Sequence, residues 1–211
     1  MTGIDSIVLL GPTGSGKTPL GDMMEQRGLW GRRCVHFDFG AQLRAVAAGA
    51  IVVPALGDED MRVVRHSLRS GALLEDEQFP IARAILRDFI DNRAPDGQSL
   101  LVLNGLPRHV GQARGIVALV RVAAVVSLRC TAETVRKRIR TNAGGDRSGR
   151  ADDDLGAVAQ RLAIYNSRTA PLVDFYRCAG VPVYELPVAH DTTAHDLWTA
   201  LGGTAPPPDI R

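Results

Sequence analysis

Lysine is nearly absent: of 25 lysines and arginines, only Lys17 and Lys137 are lysine. So general an arginine bias is a trait of composition, and only individually placed arginines carry weight as phosphate ligands, where the planar fork matches phosphate oxygens. Cysteine is scarce too. Cys34, Cys130 and Cys178 are odd in number and far apart, which excludes a disulfide framework and the paired spacing of a zinc site and fits a reducing compartment. No apolar run approaches the roughly 18 residues of a membrane span. The run Ile7 to Leu10, ahead of Gly11, is also too short for a secretory signal, so a cytoplasmic protein without a membrane partner is expected. Excess charge is small, +2, and aromatics make up only 5% of the chain. The densest basic stretch, Arg136 to Arg150, sets six basic residues against Asp146 alone, yet holds no aromatic ring on which bases could stack. It reads as a solvated helix and loop, and no nucleic-acid partner is expected.

What is present is a regular alternation. Short apolar runs at Ile4 to Leu10, Val35 to Phe37, Leu100 to Leu103, Val122 to Leu128 and Val181 to Tyr184 have the pattern of strands buried on both faces. Helical spacing lies between them: Ile81, Ile85 and Phe89 recur every fourth residue, and Leu155, Val158, Leu162, Tyr165 and Thr169 alternate threes and fours. A helix start is expected near Asp76, with Pro80 close to the first turn, and another near Thr169, with Pro171 in the first turn and Gly180 as the stop. Strands alternating with helices imply βαβ units: an α/β fold with a five-stranded parallel sheet flanked by helices. Residues 1–201 are expected to form one domain. The stretch 202–211, GGTAPPPDIR, has almost nothing to bury and is expected to be a loose tail.

Directly after the first strand stand Gly11, Pro12, Thr13, Gly14, Ser15, Gly16, Lys17 and Thr18, the spacing G-x-x-x-x-G-K-T. Glycines let the backbone curl so that successive N–H groups face one anion, and the following helix adds its positive end. Lys17 would then reach terminal phosphates and Thr18 could ligate Mg²⁺. Strand, loop and helix in this order make a phosphate-binding P-loop. Pro19 lies early enough in the helix that its missing N–H costs little. The loop by itself fixes no reaction. Neither lysine follows an asparagine, so the N-K-x-D guanine-reading segment of Ras-like GTPases is missing.

Four further segments follow in order: HFDFGAQLR (His36 to Arg44), LVLNGLPRHVGQA (Leu101 to Ala113), SGRADD (Ser148 to Asp153) and QRLAIYNSRTAPLVDFY (Gln160 to Tyr176). With the P-loop, the chain from about Ile7 to about Pro187 resembles adenylate kinase and its nucleoside monophosphate kinase relatives. The resemblance implies that Arg44 and Arg108 grip the acceptor monophosphate and that Gln112 reads the edge of an acceptor adenine. It places Phe39, Gly40, Leu74 and Gly105 in the acceptor site, within a flap over residues 41–74. Arg138, Arg150 and Arg161 would join Lys17 and Arg108 in stabilising charge on the transferring phosphoryl group, with a short lid over residues 141–154. That lid holds no cysteine and so no zinc, and Arg140 or Arg147 is expected to stand in for a second lid arginine.

The implied reaction takes Mg²⁺·ATP and a nucleoside monophosphate, AMP by the argument from Gln112, to two diphosphates. No general base is needed, so His36 and His109 are read as local hydrogen-bonding residues. The chain is expected to act as a monomer on small-molecule nucleotides. It departs from the family at Phe39, at Ala41, in a longer 46–70 segment, and at Asn104, which stands where an aspartate helps hold Mg²⁺ through water. Asn104 is therefore assigned to the metal with Thr18, and it motivates the alternative of a nucleotide sensor with little or no turnover.

Overall fold

The protein is described from a computed structural model covering residues 3–93, 98–145 and 155–210. Five strands, β1 (Ile4–Leu10), β2 (Cys34–Asp38), β3 (Leu100–Asn104), β4 (Val120–Arg129) and β5 (Val183–Pro187), form one parallel sheet in the order β2-β3-β1-β4-β5. Every residue of β3 and the last five of β1 are buried, as expected of strands covered on both faces. Alternation along β1 splits the core in two. Val8 and Leu10 join Val35, Phe37, Ile85 and Leu103 on one face, while Ile7 and Leu9 join Leu20, Met24, Val102 and Val126 on the other. The chain fills β2 and β3 on one side of β1 and then crosses to β4 and β5 on the other, so a crevice opens beyond the carboxyl end of β1, the usual ligand position in such sheets.

The helices are α1 (Lys17–Arg27), α2 (Phe39–Ala47), α3 (Asp58–Ser70), α4 (Phe79–Arg93), α5 (Val110–Ile116), α6 (Ala132–Thr141), α7 (Leu155–Ile164), α8 (Leu172–Cys178) and α9 (Ala194–Gly202). The start expected near Asp76 is a 3₁₀ turn, Asp76–Gln78, that runs into α4, where Ile81, Ile85 and Phe89 are all buried. The pattern Leu155 to Thr169 is not one α-helix: a π-helical turn over Tyr165–Thr169 follows α7, with the Ala170 N–H bonded to the Tyr165 carbonyl at 2.8 Å.

Two other expectations shift. β5 begins at Val183 rather than Val181, because the Val181 N–H closes the end of α8 on the Tyr176 carbonyl and Pro182 has no N–H to offer. The last ten residues were expected to be a loose tail, but Ile210 is buried in the second core, Pro208–Ile210 form a 3₁₀ turn, and the Tyr184 hydroxyl donates to the Ala205 carbonyl at 2.7 Å. A proline-rich segment has little backbone freedom to lose, so one buried isoleucine and a few backbone bonds suffice to dock it.

Candidate active site

The loop between β1 and α1 is shaped by residues that only glycine can supply. Gly14 has φ +74°, and a Cβ there would lie 2.8 Å from Ile139 Cγ1; a Cβ at Gly11 would lie 2.6 Å from Ser15 Oγ. The α1 N-cap, Gly16, offers no capping side chain, which leaves the first-turn N–H groups to an external acceptor. Ser15 Oγ is buried and has no hydrogen-bond partner among the described residues. A cradle of open donors fits a phosphate chain. Lys17 Nζ meanwhile donates to the Gly11 and Pro12 carbonyls of the same loop, at 2.7 and 2.8 Å.

On the neighbouring strands a polar triad closes the cradle. Parallel register sets Asp38, the last residue of β2, beside Asn104, the last of β3, and Asn104 beside Leu9 of β1. The Asp38 carboxylate has two tasks. Oδ1 accepts from the Ala41 N–H at 2.9 Å and caps α2, while Oδ2 accepts from the Thr18 hydroxyl at 2.6 Å and from Asn104 Nδ2 at 3.0 Å. Asn104 Nδ2 also reaches Thr18 Oγ1 at 3.0 Å. No group of three or more histidines, cysteines, aspartates or glutamates capable of holding a metal exists among the described residues. Mg²⁺ takes few protein ligands and travels with phosphate oxygens. Thr18 and Asp38 offer the hard oxygen donors such an ion prefers.

Farther along the cleft the lining turns cationic. Arg44 projects from α2, Arg108 from the turn after β3, and Arg161 from α7. No carboxylate among the described residues pairs with Arg44 or Arg108. Burial, and then the like charge of Arg161, push the Arg108 guanidinium down to about 10, so it stays charged near neutrality but at a cost that a bound anion would relieve. The turn is held from three directions. Gln112 Oε1 accepts from the Arg108 N–H at 2.8 Å, Gln112 Nε2 donates to the Leu74 carbonyl at 2.8 Å, and the Thr169 hydroxyl donates to the Arg108 carbonyl at 2.8 Å. His109 Nε2 adds a 3.1 Å bond to the same Leu74 carbonyl.

Comparison with known proteins agrees with this geometry. The adenylate kinase of Stenotrophomonas maltophilia (strain R551-3) is 36% identical over 183 residues, covering 82% of this chain and 86% of the relative. That of Parvibaculum lavamentivorans is 33% identical over 181 residues (82% and 80%), and that of Synechococcus sp. (strain WH7803) 32% identical over 182 residues (83% and 86%). No protein-family model matches the chain. The chain belongs to the adenylate kinase family. A sensor without turnover finds no support among these adenylate kinases.

Of the residues assigned from the phosphate-loop spacing and by likeness to adenylate kinases, one cleft is lined by Gly11, Thr13, Gly14, Gly16, Lys17, Thr18, Phe39, Gly40, Arg44, Leu74, Asn104, Gly105, Arg108, Gln112 and Arg161. Three assignments change in detail. Arg138 is 3% exposed and holds backbone carbonyls, Nε to Gly14 at 3.1 Å and Nη1 to Ala189 and Thr192 at 2.8 Å each; it ties the phosphate loop to the segment before α9. Asn104 was expected to offer its carbonyl to a metal-bound water. Because a carboxylate oxygen can only accept, the amide must turn its Nδ2 toward Asp38 and Thr18. Gln112, the expected base reader, is 1% exposed and spends both ends of its amide on backbone, with one N–H and one lone pair remaining.

Arg150, like Arg147 and the segment Ser148 to Asp153, lies outside the described residues. The sequence reading missed Asp38, the cleft-lining Tyr165 and Thr169, and the ion pair of Arg168 with Glu75, 2.9 Å at its Nη1, which draws the Glu75 carboxyl below its usual range. A carboxylate closing the β2 run was the one signal available for Asp38. Among the described residues no helix is long and apolar enough to cross a membrane.

Proposed function

We propose that the protein transfers the terminal phosphoryl group of Mg²⁺·ATP to AMP, forming two molecules of ADP. The supporting observation is the meeting of Arg44, Arg108 and Arg161 with the glycine-rich phosphate loop in a single cleft. Two polyanions repel unless cations stand between them, and arginine answers phosphate oxygens with two parallel N–H donors. In this reading ATP phosphates occupy the loop, drawing Lys17 off the Gly11 and Pro12 carbonyls, and Arg44 and Arg108 hold the acceptor phosphate. An oxygen of that phosphate attacks the γ phosphorus while the bond to the β–γ bridging oxygen breaks. The attacking oxygen is already anionic near neutral pH, so no side chain removes a proton. Charge on the transferring group is met by Arg108 and Arg161, a task that likeness to adenylate kinases also assigns to Arg150. Thr18 would hold Mg²⁺ beside the loop, and the ion would supply positive charge against the phosphates. The protein works as a cytoplasmic monomer in this reading, with residues 1–201 as one kinase domain.

Purified protein with Mg²⁺·ATP and a panel of AMP, CMP, UMP, GMP and their deoxy forms, with products resolved, tests the proposal. AMP should give the highest kcat/KM. A tenfold preference for another monophosphate, about 1.4 kcal/mol of transition-state binding, would remove AMP as the acceptor.

A further inference from the structure

Likeness to adenylate kinases implies aspartates where this chain has Ala41 and Asn104, yet a carboxylate stands beside the hydroxyl of the phosphate loop. It belongs to Asp38, on the neighbouring strand. We propose that Asp38 is the carboxylate that holds Mg²⁺, through the ion's bound water, beside Thr18, and that Asn104 positions it. This rests on the kinase reading above.

The geometry supports the exchange from both sides. Thr18 gives its only proton to Asp38 Oδ2 at 2.6 Å and accepts from Asn104 Nδ2 at 3.0 Å, which leaves one oxygen lone pair to offer a cation. Asn104, 4% exposed, can reach Asp38 only as a donor, and its Nδ2 bridges Asp38 Oδ2 and Thr18 Oγ1 at 3.0 Å each. An aspartate at 104 would put two carboxylates in contact, which in the metal-free state is repulsive unless one of them takes up a proton. One carboxylate and one amide keep a single negative charge at the carboxyl ends of β2 and β3. The departure at Asn104 is thus the counterpart of Asp38, not a vestige of a lost site. Asp38 is itself fixed, because its Oδ1 caps α2 through the Ala41 N–H at 2.9 Å.

The test reads metal-assisted binding rather than turnover. Calorimetric titration with a non-hydrolysable ATP analogue, in EDTA and in excess Mg²⁺, gives the ratio of the two dissociation constants. For Asp38→Asn, which keeps the cap oxygen, that ratio should fall by about five- to thirtyfold, the difference between a charged and a neutral hydrogen-bond acceptor, while affinity in EDTA stays within about twofold. The exchanged pair, Asp38→Asn with Asn104→Asp, restores one carboxylate and one amide and should recover the ratio to within about threefold of the parent. An unchanged ratio in Asp38→Asn, an equal loss of affinity with and without Mg²⁺, or no recovery in the exchanged pair overturns the proposal. Absence of ADP formation in the parent would instead remove the kinase reading, and the binding ratio would still decide the place of Asp38.

Discussion

Arg108 shows what a phosphate site costs when nothing fills it. Its charge is pushed down by burial and then by Arg161. Truncation to alanine removes that repulsion, so Arg108→Ala should melt no lower than the parent while kcat/KM falls about a hundredfold or more, the size of losing one preorganised charge contact. Activity within about threefold of the parent would take Arg108 out of the site. Asn104→Asp makes the opposite trade. It replaces a donor to Asp38 and Thr18 by a second carboxylate, a loss on the order of 1–3 kcal/mol, so the metal-free protein should melt several degrees lower and Mg²⁺·nucleotide should restore most of the difference. A melting curve unchanged in EDTA would show that the amide is not holding the pair. At this scale the glycines, Lys17 and Thr18 were legible in the sequence because the phosphate loop is made by eight adjacent residues, Gly11 to Thr18. Asp38 was not, because its task arises from a register that brings it to a residue 66 positions away. Gln112 lines the cleft and Arg138 braces the phosphate loop, but their hydrogen bonds run to backbone, which side-chain identity does not disclose.

Elements were easiest to read where both faces are buried. The runs behind β1 and β3 have no polar face, and their bounds fall within a residue of the expected ones. The π-helical turn at Tyr165–Thr169 was hidden, since Leu162, Tyr165 and Thr169 also satisfy an α-helical spacing; the turn is what brings Tyr165 and Thr169 to the cleft wall. Packing of α1 on β2 depends on a glycine within the helix. A Cβ at Gly21 would lie 2.3 Å from His36 Nε2, and that ring is buried and held by Asp22 at 2.9 Å through Nδ1. Alanine is the better helix former by up to about 1 kcal/mol, but at that distance the buried imidazole or the helix would have to shift. Gly21→Ala should therefore destabilise by about 1–3 kcal/mol in denaturant melts, as overpacked cores do. A variant as stable as the parent, or more so, would show that the ring moves freely.

Across the whole molecule, the far end of the chain is joined to the phosphate-binding side through the second core. Ile210 is 3% exposed and shares that cluster with Leu20 and Met24 of α1 and with Leu197 and Leu201 of α9, while Arg138 links the loop ahead of α9 back to the Gly14 carbonyl. Composition could not reveal this, because three prolines and one glycine between α9 and Ile210 look like a linker, and what docks them is a single side chain finding an apolar site made by elements from both ends of the sequence. The prediction that separates a docked segment from a loose one is Ile210→Ala. Removing a buried isoleucine down to its β carbon costs about 2–5 kcal/mol, the lower end applying near a surface where the site can collapse. For a chain of this size each kcal/mol shifts the midpoint by about 2–4 °C, so Tm should fall by about 4 °C or more. No residue lining the cleft is altered, so kcat/KM for Mg²⁺·ATP and AMP, measured well below the lowered Tm, should remain within about twofold of the parent. A midpoint within about 1 °C of the parent would mean that the segment contributes nothing to the fold in solution. A large loss of activity at low temperature would mean that the second core also sets the phosphate loop.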